Sequence, residues 1–342
     1  MRIIIDAMGG DYAPAEIVKG AVDAANEFGV DITLVGRRAD IEAHLPVPNE
    51  HIDIAEASDI VTMEDDPATA VRRKKDSSMA VALRMLAEEQ GDACISAGST
   101  GALLTGATLL VRRIHGIRRA AMAPVIPNGG KGTVLIDCGA NVECTPEYML
   151  QFAFMGSFYA KNILGCSEPR IGLLNIGTED TKGTELCRQA YALLKQASEA
   201  GRINFVGNVE GRDAMSGNVD VLVCDGFSGN VLLKGTEGAM LFMMKQLKGI
   251  FMSGITTKLA ALMVRGGIGR MKKMLDPKEV GGTAMLGISK PVFKAHGNSD
   301  ARAIRSAVMR AMEFVEAGVI DEIVANIGDM KVEKQDNLQI QP

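Results

Sequence analysis

The sequence predicts an α/β fold, a mostly parallel sheet with helices on both faces and a helical protrusion. Three observations carry this. Six apolar runs stop at glycine-bearing polar turns, helical patterns fill the intervals, and one stretch at about 236–275 breaks the alternation. Short buried strands ending in polar turns and leading into helices describe parallel α/β architecture. Sheets of this kind bind ligands at the carboxyl ends of their strands, so the turns map where chemistry belongs.

In chain order, Ile3-Ile4-Ile5 form a strand over 2–6 that runs into Asp6-Ala7-Met8-Gly9-Gly10-Asp11. A helix over 14–28 starts at Pro14 and stops at Gly29, a residue pair that suits a helix start and stop. Strands over 32–35 and 51–55 follow. Met79, Ala82, Leu83, Leu86 and Ala87 recur at helical spacing over 78–90, ending at Gly91. The strand at 92–96 enters Ser96-Ala97-Gly98-Ser99-Thr100-Gly101 and a helix over 100–113. The strand at 133–137 enters Asp137-Cys138-Gly139-Ala140-Asn141, followed by a helix over 146–164. The strand at 170–175 enters Asn175-Ile176-Gly177-Thr178-Glu179-Asp180, followed by a helix over 183–200. The last two runs are 203–206 into Gly207-Asn208-Val209-Glu210, and 220–224 into Asp225-Gly226-Phe227-Ser228-Gly229-Asn230. With no low-complexity linker, residues 1–330 read as one α/β domain, and 331–342 as a frayed polar tail.

Composition narrows the function classes. Apolar residues make up 47% of 342, enough for a sizeable core, and a net charge of −5 gives no whole-protein drive toward nucleic acid. No leader precedes the first strand and no apolar stretch is long enough to span a bilayer, so a cytoplasmic protein is expected. The six cysteines are scattered without a Cys-x-x-Cys pair and read as free thiols. Cys138 and Cys144 flank a polar turn, but no nearby base marks either as a nucleophile. Four dispersed histidines and no His-Glu-x-x-His argue against a metal site. No Gly-x-Gly-x-x-Gly follows a strand and no Gly-x-x-x-x-Gly-Lys-Ser/Thr occurs, so neither a dinucleotide fingerprint nor a triphosphate loop is present. No cofactor is expected.

The candidate site residues come from the turns. Gly9-Gly10 lets backbone N–H groups approach an anion because no Cβ intervenes. Ser99-Thr100-Gly101 sits at a helix start, where free N–H groups and the dipole favour anions, although Ser and Thr are also ordinary caps. Lys182 can neutralise a phosphate or be a solvated loop lysine. Asn230 can donate to an oxyanion or simply cap a helix, with Lys234 one turn on. His296, in Lys294-Ala295-His296-Gly297-Asn298-Ser299-Asp300, suits proton transfer near neutral pH. Asn141 is a further candidate from the third turn. From Met240 to Leu275 there are seven positive residues and no negative one among abundant Met and Leu. That element is either a core or dimer-packing helix pair or an interfacial one attracted to anionic lipid or an acidic protein. Arg72-Arg73-Lys74-Lys75 is a solvated face or a landing strip for an acidic carrier. No aromatics interleave the basic runs, so single-strand nucleic-acid stacking is not indicated.

Seven motifs, in order from residue 1 to about residue 325, resemble the bacterial phosphate acyltransferase family PlsX. They are Asp6-Ala7-Met8-Gly9-Gly10-Asp11, Ala70 to Ser78, Ser96-Ala97-Gly98-x-Thr100-Gly101-Ala102, Asp137-x-Gly139-Ala140-Asn141, Gly177-Thr178-Glu179-Asp180-x-Lys182-Gly183, Asp225-Gly226-Phe227-x-Gly229-Asn230-Val231 and Lys294-Ala295-His296-Gly297-x-Ser299-Asp300. The resemblance implies acyl transfer from an acyl carrier protein thioester to inorganic phosphate, feeding phospholipid synthesis. It also implies a cytosolic homodimer that meets the membrane peripherally, and a fold like isopropylmalate dehydrogenase and phosphotransacetylase. Two positions depart from the pattern: Tyr12 stands where many relatives carry His, and Ser99 where Asn is common.

Together these readings set catalytic roles for Lys182, Asn230 and His296, and substrate contacts for Asp6, Gly9, Gly10, Ser99, Thr100, Gly101, Asn141 and Ser299. Direct attack of phosphate on the thioester, with no acyl-enzyme, is the expected chemistry. The rivals are a phosphotransacetylase using acyl-CoA, an isopropylmalate-type dehydrogenase, and a non-catalytic membrane-docked scaffold.

Overall fold

The computed structural model describes residues 1–45, 47–275 and 281–331, without the side chains of 270 and 272–275. The predicted frayed tail from residue 332 onward lies outside the described residues. The α/β architecture is present, but the strands build two sheets rather than one. The first holds β1 (Arg2–Asp6), β2 (Asp31–Gly36), β3 (Ile52–Glu56), β4 (Ala93–Ser96), β5 (Ala121–Ala123), β11 (Thr283–Leu286) and β12 (Val292–Lys294), in the order β3-β2-β1-β4-β12-β11-β5. The second holds β6 (Val125–Ile126), β7 (Thr133–Ile136), β8 (Arg170–Asn175), β9 (Asn204–Glu210) and β10 (Val221–Val223), in the order β6-β7-β10-β8-β9. Pairings among β3, β2, β1, β4 and β12 are parallel, as are those among β7, β10, β8 and β9. Antiparallel strands β11, β5 and β6 close the facing edges.

The chain changes sheet at Pro124, the single residue between β5 and β6. It returns through two long helices, α8 (Gly226–Met252) and α9 (Ile255–Leu275), before β11. The sequence reading places the start of this helical interruption at about 236. The structure starts it at Gly226, because Asp225 caps the helix by accepting from the Ser228 N–H at 2.8 Å. The protrusion therefore grows directly out of the sixth turn.

Strand alternation places helices on both faces. Ile3 and Ile5 point into one apolar core with α1 (Ala15–Phe28) and α10 (Ala301–Glu316), while Ile4 points into the other with α4 (Ser78–Ala87) and α5 (Thr100–Gly106). The first core continues into the second sheet through Val134, Ile136 and Leu173, with α6 (Pro146–Asn162) buried in it. The fifth predicted turn is not a turn. β9 runs through Gly207 (φ 101°), where a bulge shifts the register against β8, so that site is a strand irregularity rather than a ligand edge.

Candidate functional site

Each sheet ends its β1-like strand in a buried aspartate. Asp6 accepts from the Ser96 hydroxyl at 2.6 Å and from the Met8 and Gly9 N–H groups, and burial pushes its carboxyl pKa up against those bonds. Asp137 accepts from the N–H groups of Met122, Cys138, Ala140 and Asn141 and from the Asn141 side-chain amide. Both carboxylates tie strand ends together beneath the surface. Asp6 and Asn141 thereby brace the framework: the Asn141 amide also donates to the Ala120 carbonyl at 2.8 Å, Asp6 is buried and Asn141 is half-buried.

Glycines let these turns interlock. A Cβ on Gly9 would lie 2.7 Å from the Gly98 nitrogen and 2.6 Å from the Asp6 carboxylate, so the glycine lets the first turn pack against the second. The Asp11 N–H donates to the Gly297 carbonyl at 2.7 Å, so the first turn also holds the His296 loop. In the second sheet, a Cβ on Gly229 would sit 2.0 Å from the Asp137 carbonyl oxygen, which brings the start of α8 against the third turn.

Between the sheets lies a cleft of about 400 Å³. Thr100, Lys294, His296 and Gly297 line it from the first sheet, and Cys138, Gly139, Asn230, Lys234 and Glu237 from the second. Met122, Val125, Ile126, Leu233 and Met240 supply an apolar wall. Among the predicted residues, Thr100, Asn230 and His296 converge here. Asn230 lies over Gly139, and its amide makes no hydrogen bond among the described residues.

The other candidates are placed elsewhere. Ser99 caps α5, accepting from the Ala102 N–H, and Gly101 packs on Pro67. Gly10 abuts Ala97 and Gly297. Ser299 is buried with its hydroxyl unpartnered, and it does not line the cleft. Lys182 sits past β8, its side chain 49% exposed and 3.9 Å from Glu179, two strands from β7 in the second sheet. Its expected phosphate contact therefore does not coincide with the cleft, because the Asn175 amide pins the Lys182 carbonyl to the end of β8.

The strongest feature was missed by the sequence reading. Lys294 ends β12 in register with Ser96, which in turn is in register with Asp6 across β1. It is only 8% exposed, and its ammonium donates to the carbonyls of Ala97 (3.2 Å) and Ala295. No carboxylate is within salt-bridge distance of it among the described residues. Burial brings its pKa down to about 8, with Asp6 and Asp11 opposing and Lys234 assisting the fall. His296 is solvent-exposed at the mouth, yet desolvation is the leading cause of a lowered imidazole pKa. Glu237 opposes that fall, and Lys234 and Lys294 reinforce it. Lys234 is 3.2 Å from Glu237 one turn along α8. The sequence signal for Lys294 was a seventh apolar run, Val292-Phe293, ending at Ala295-His296-Gly297. Cys138 faces the cleft as a neutral thiol, because burial and Asp137 push its pKa up to about 12.

Among solved structures, the chain is similar to a phosphotransacetylase from Streptococcus pyogenes, with TM-score 0.60 at 15% identity over 94% of each chain. A branched-chain phosphotransacylase from Enterococcus faecalis gives TM-score 0.56 at 15% identity over 92% of this chain and 99% of that one. A putative 4-hydroxythreonine-4-phosphate dehydrogenase from Salmonella typhimurium gives 0.52 at 14%, over 92% of this chain and 99% of that one. These likenesses show the fold. In sequence, the chain is 47% identical to a phosphate acyltransferase of Oceanobacillus iheyensis, over 98% of this chain and all of that protein. It is 49% identical to one from Geobacillus thermodenitrificans, over 96% of this chain and 99% of that protein. It is 43% identical to one from Bacillus subtilis, over 98% of this chain and all of that protein. The profile of the family described as "Fatty acid synthesis protein" matches residues 1–322. With an anion-ready cleft between its sheets and full-length kinship to these enzymes, the chain belongs to the phosphate acyltransferase (PlsX) family of fatty acid synthesis proteins.

Proposed function

We propose that the cleft moves a fatty acyl group from an acyl carrier protein thioester to inorganic phosphate by direct attack. The carrying observation is Lys294, a buried ammonium bonded to carbonyls and lacking a carboxylate partner among the described residues. An anion that enters beside it replaces lost hydration with charge-assisted hydrogen bonds. Lys234 adds a second positive charge from the opposite wall.

Positioning and oxyanion donors carry most of the rate in acyl transfer. Lys294 and Lys234 hold hydrogen phosphate dianion against the thioester carbonyl. Its oxygen forms the new C–O bond, and the Asn230 amide, free of other partners, donates to the developing oxyanion. The C–S bond then breaks, and the proton that phosphate carried ends on the departing sulfur. His296, neutral at pH 7 because its pKa is lowered, relays that proton. The products are acyl phosphate and the free carrier thiol. The neutral Cys138 thiol favours this route over an acyl-cysteine, since the thiolate is the nucleophile. The methionine-rich wall suits acyl chains of varied shape.

The α8–α9 hairpin exposes Leu241, Phe242, Met243, Ile250, Leu262 and Met263 beside Lys245, Lys248 and Lys258. No helix among the described residues is long and apolar enough to cross a membrane. A basic, apolar hairpin supports peripheral contact with anionic lipid by a cytoplasmic enzyme. The homodimer is part of the same reading, and sedimentation tests it.

The decisive assay is acyl phosphate formation from phosphate and acyl carrier protein, run beside acyl-CoA. Turnover with the carrier substrate is expected. Turnover confined to acyl-CoA would favour the phosphotransacetylase rival, and a radiolabelled acyl group trapped on denatured enzyme would sink direct attack.

A further inference from the structure

A second concavity lies beyond the carboxyl end of α5, outside the cleft and sharing no lining residue with it. It has a volume of about 570 Å³ and is lined by Arg72, Arg73, Lys75 and Arg84 with Leu109 and Leu110, and no carboxylate lines it. The four-residue basic run is not a uniform solvated face. Lys74 turns away, donating to Asp65 at 2.7 Å and to the Ile60 carbonyl at 2.9 Å, which anchors the loop before the short helix α3 (Ala70–Arg73). Val71 is buried against Gly106, where a Cβ would meet it at 3.1 Å, so α3 is seated on α5. The Arg84 guanidinium donates to the Lys75 carbonyl and fixes the other end of the run. This framework leaves Arg72, Arg73 and Lys75 exposed with no ion pair among the described residues. The opposite wall is a π-helical turn, Ala107–Val111, that presents Leu109 at 48% exposure.

Basic side chains around exposed Leu109 and half-buried Leu110 fit an acidic amphipathic helix, with carboxylates on the cations and an apolar edge on the leucines. One continuous helical segment also joins the groove to the cleft. Thr100 lines the cleft at the start of α5, and Leu110 lines the groove in the π-helical turn that continues it, ten residues and roughly 15 Å on. A protein bound at the groove can therefore deliver an acyl group on a flexible arm to the cleft.

We propose that this groove docks the acidic acyl carrier protein, as distinct from the cleft that performs the chemistry. The proposal rests on the carrier-donor reading above. Its test is steady-state kinetics of the full chain and of R72E/R73E, with acyl carrier protein as varied substrate, at low salt and at about 0.3 M salt, where screening shortens charge interactions to a few ångströms. The variant is expected to lose about tenfold or more in kcat/KM for the carrier at low salt, mostly through KM. That deficit shrinks at high salt, while the phosphate KM and the thermal midpoint stay as in the parent. R72Q/R73Q, with charge removed rather than reversed, should fall between the two. If the parent turns over the carrier substrate and the charge-reversed variant matches it, the groove is not the docking site and the donor reading stands. If the parent ignores the carrier, the donor reading fails, and the docking proposal with it. A variant that changes its sedimentation or its binding to anionic vesicles, with carrier kinetics intact, would make the groove a subunit or lipid contact and overturn the proposal.

Discussion

The two sheets place matching aspartates at matching strand ends and use them differently. Asp6 lies in a row with Ser96 and Lys294, across three adjacent strands, so its charge bears on a buried cation. Asp137 is saturated by five N–H bonds and has no ion pair among the described residues. The first sheet therefore supplies charge to the cleft, and the second supplies a rigid seat for the start of α8. A site of this kind separates holding the ligand from holding the wall.

That division can be broken from either side. Lys294→Met keeps the stem and removes the charge. It should lower turnover about 100- to 1000-fold, with far-UV dichroism and thermal midpoint preserved, as for loss of one preorganised donor. Asp137→Ala should do the reverse. It strands buried N–H groups and costs about 3 kcal/mol or more of stability, read by denaturant midpoint, with lost activity following lost fold.

A pH series sharpens the contrast. The Lys294 ammonium is protonated below about 8 and neutral above it, so phosphate KM should rise as pH passes that value. Phosphate is already mostly dianion there, which assigns the limb to the lysine. The Asp6 carboxylate raises the Lys294 pKa, so Asp6→Asn should move the limb to lower pH by about one unit or less. An unmoved limb would show that the row across the three strands carries no electrostatic coupling. The smallest effect belongs to Lys182→Ala, where phosphate KM should change less than about twofold, because an exposed lysine paired only at 3.9 Å contributes little.

The parallel strands were legible because Ile3-Ile4-Ile5, Val134-Leu135-Ile136 and their kin are uninterrupted apolar runs bounded by turns. β5, β6, β11 and β12 were not: β5, β6 and β11 pair antiparallel and lead into another strand rather than a helix, and β12 offers only Val292-Phe293 before its charged end. Without them, two sheets look like one, and the cleft between them cannot be foreseen. Lys294 was hidden for a related reason: a charged residue ends an apolar run in sequence, even where folding buries it. Thr100, Asn230 and His296 were found because polar residues after apolar runs mark strand ends. Gly9 and Asn141 carry turn-to-turn packing and bonding in the structure, because the same small and polar residues also let turns interlock. No local pattern separates a glycine that admits an anion from one that admits another backbone.

The position of β12 has a consequence for how the enzyme comes into being. β12 is an interior strand, inserted between β4 and β11, yet it is encoded some 200 residues after β4. A growing chain emerges from its amino end, and segments fold as they become available. The first four strands can assemble with their turns in place while the slot beside β4 stands empty. Until Val292–Lys294 fills it, neither the buried ammonium nor the imidazole is there. On the proposed mechanism, catalytic competence is thus among the last properties that synthesis confers, and a chain truncated before β12 would lack the charge that the glycine turns surround.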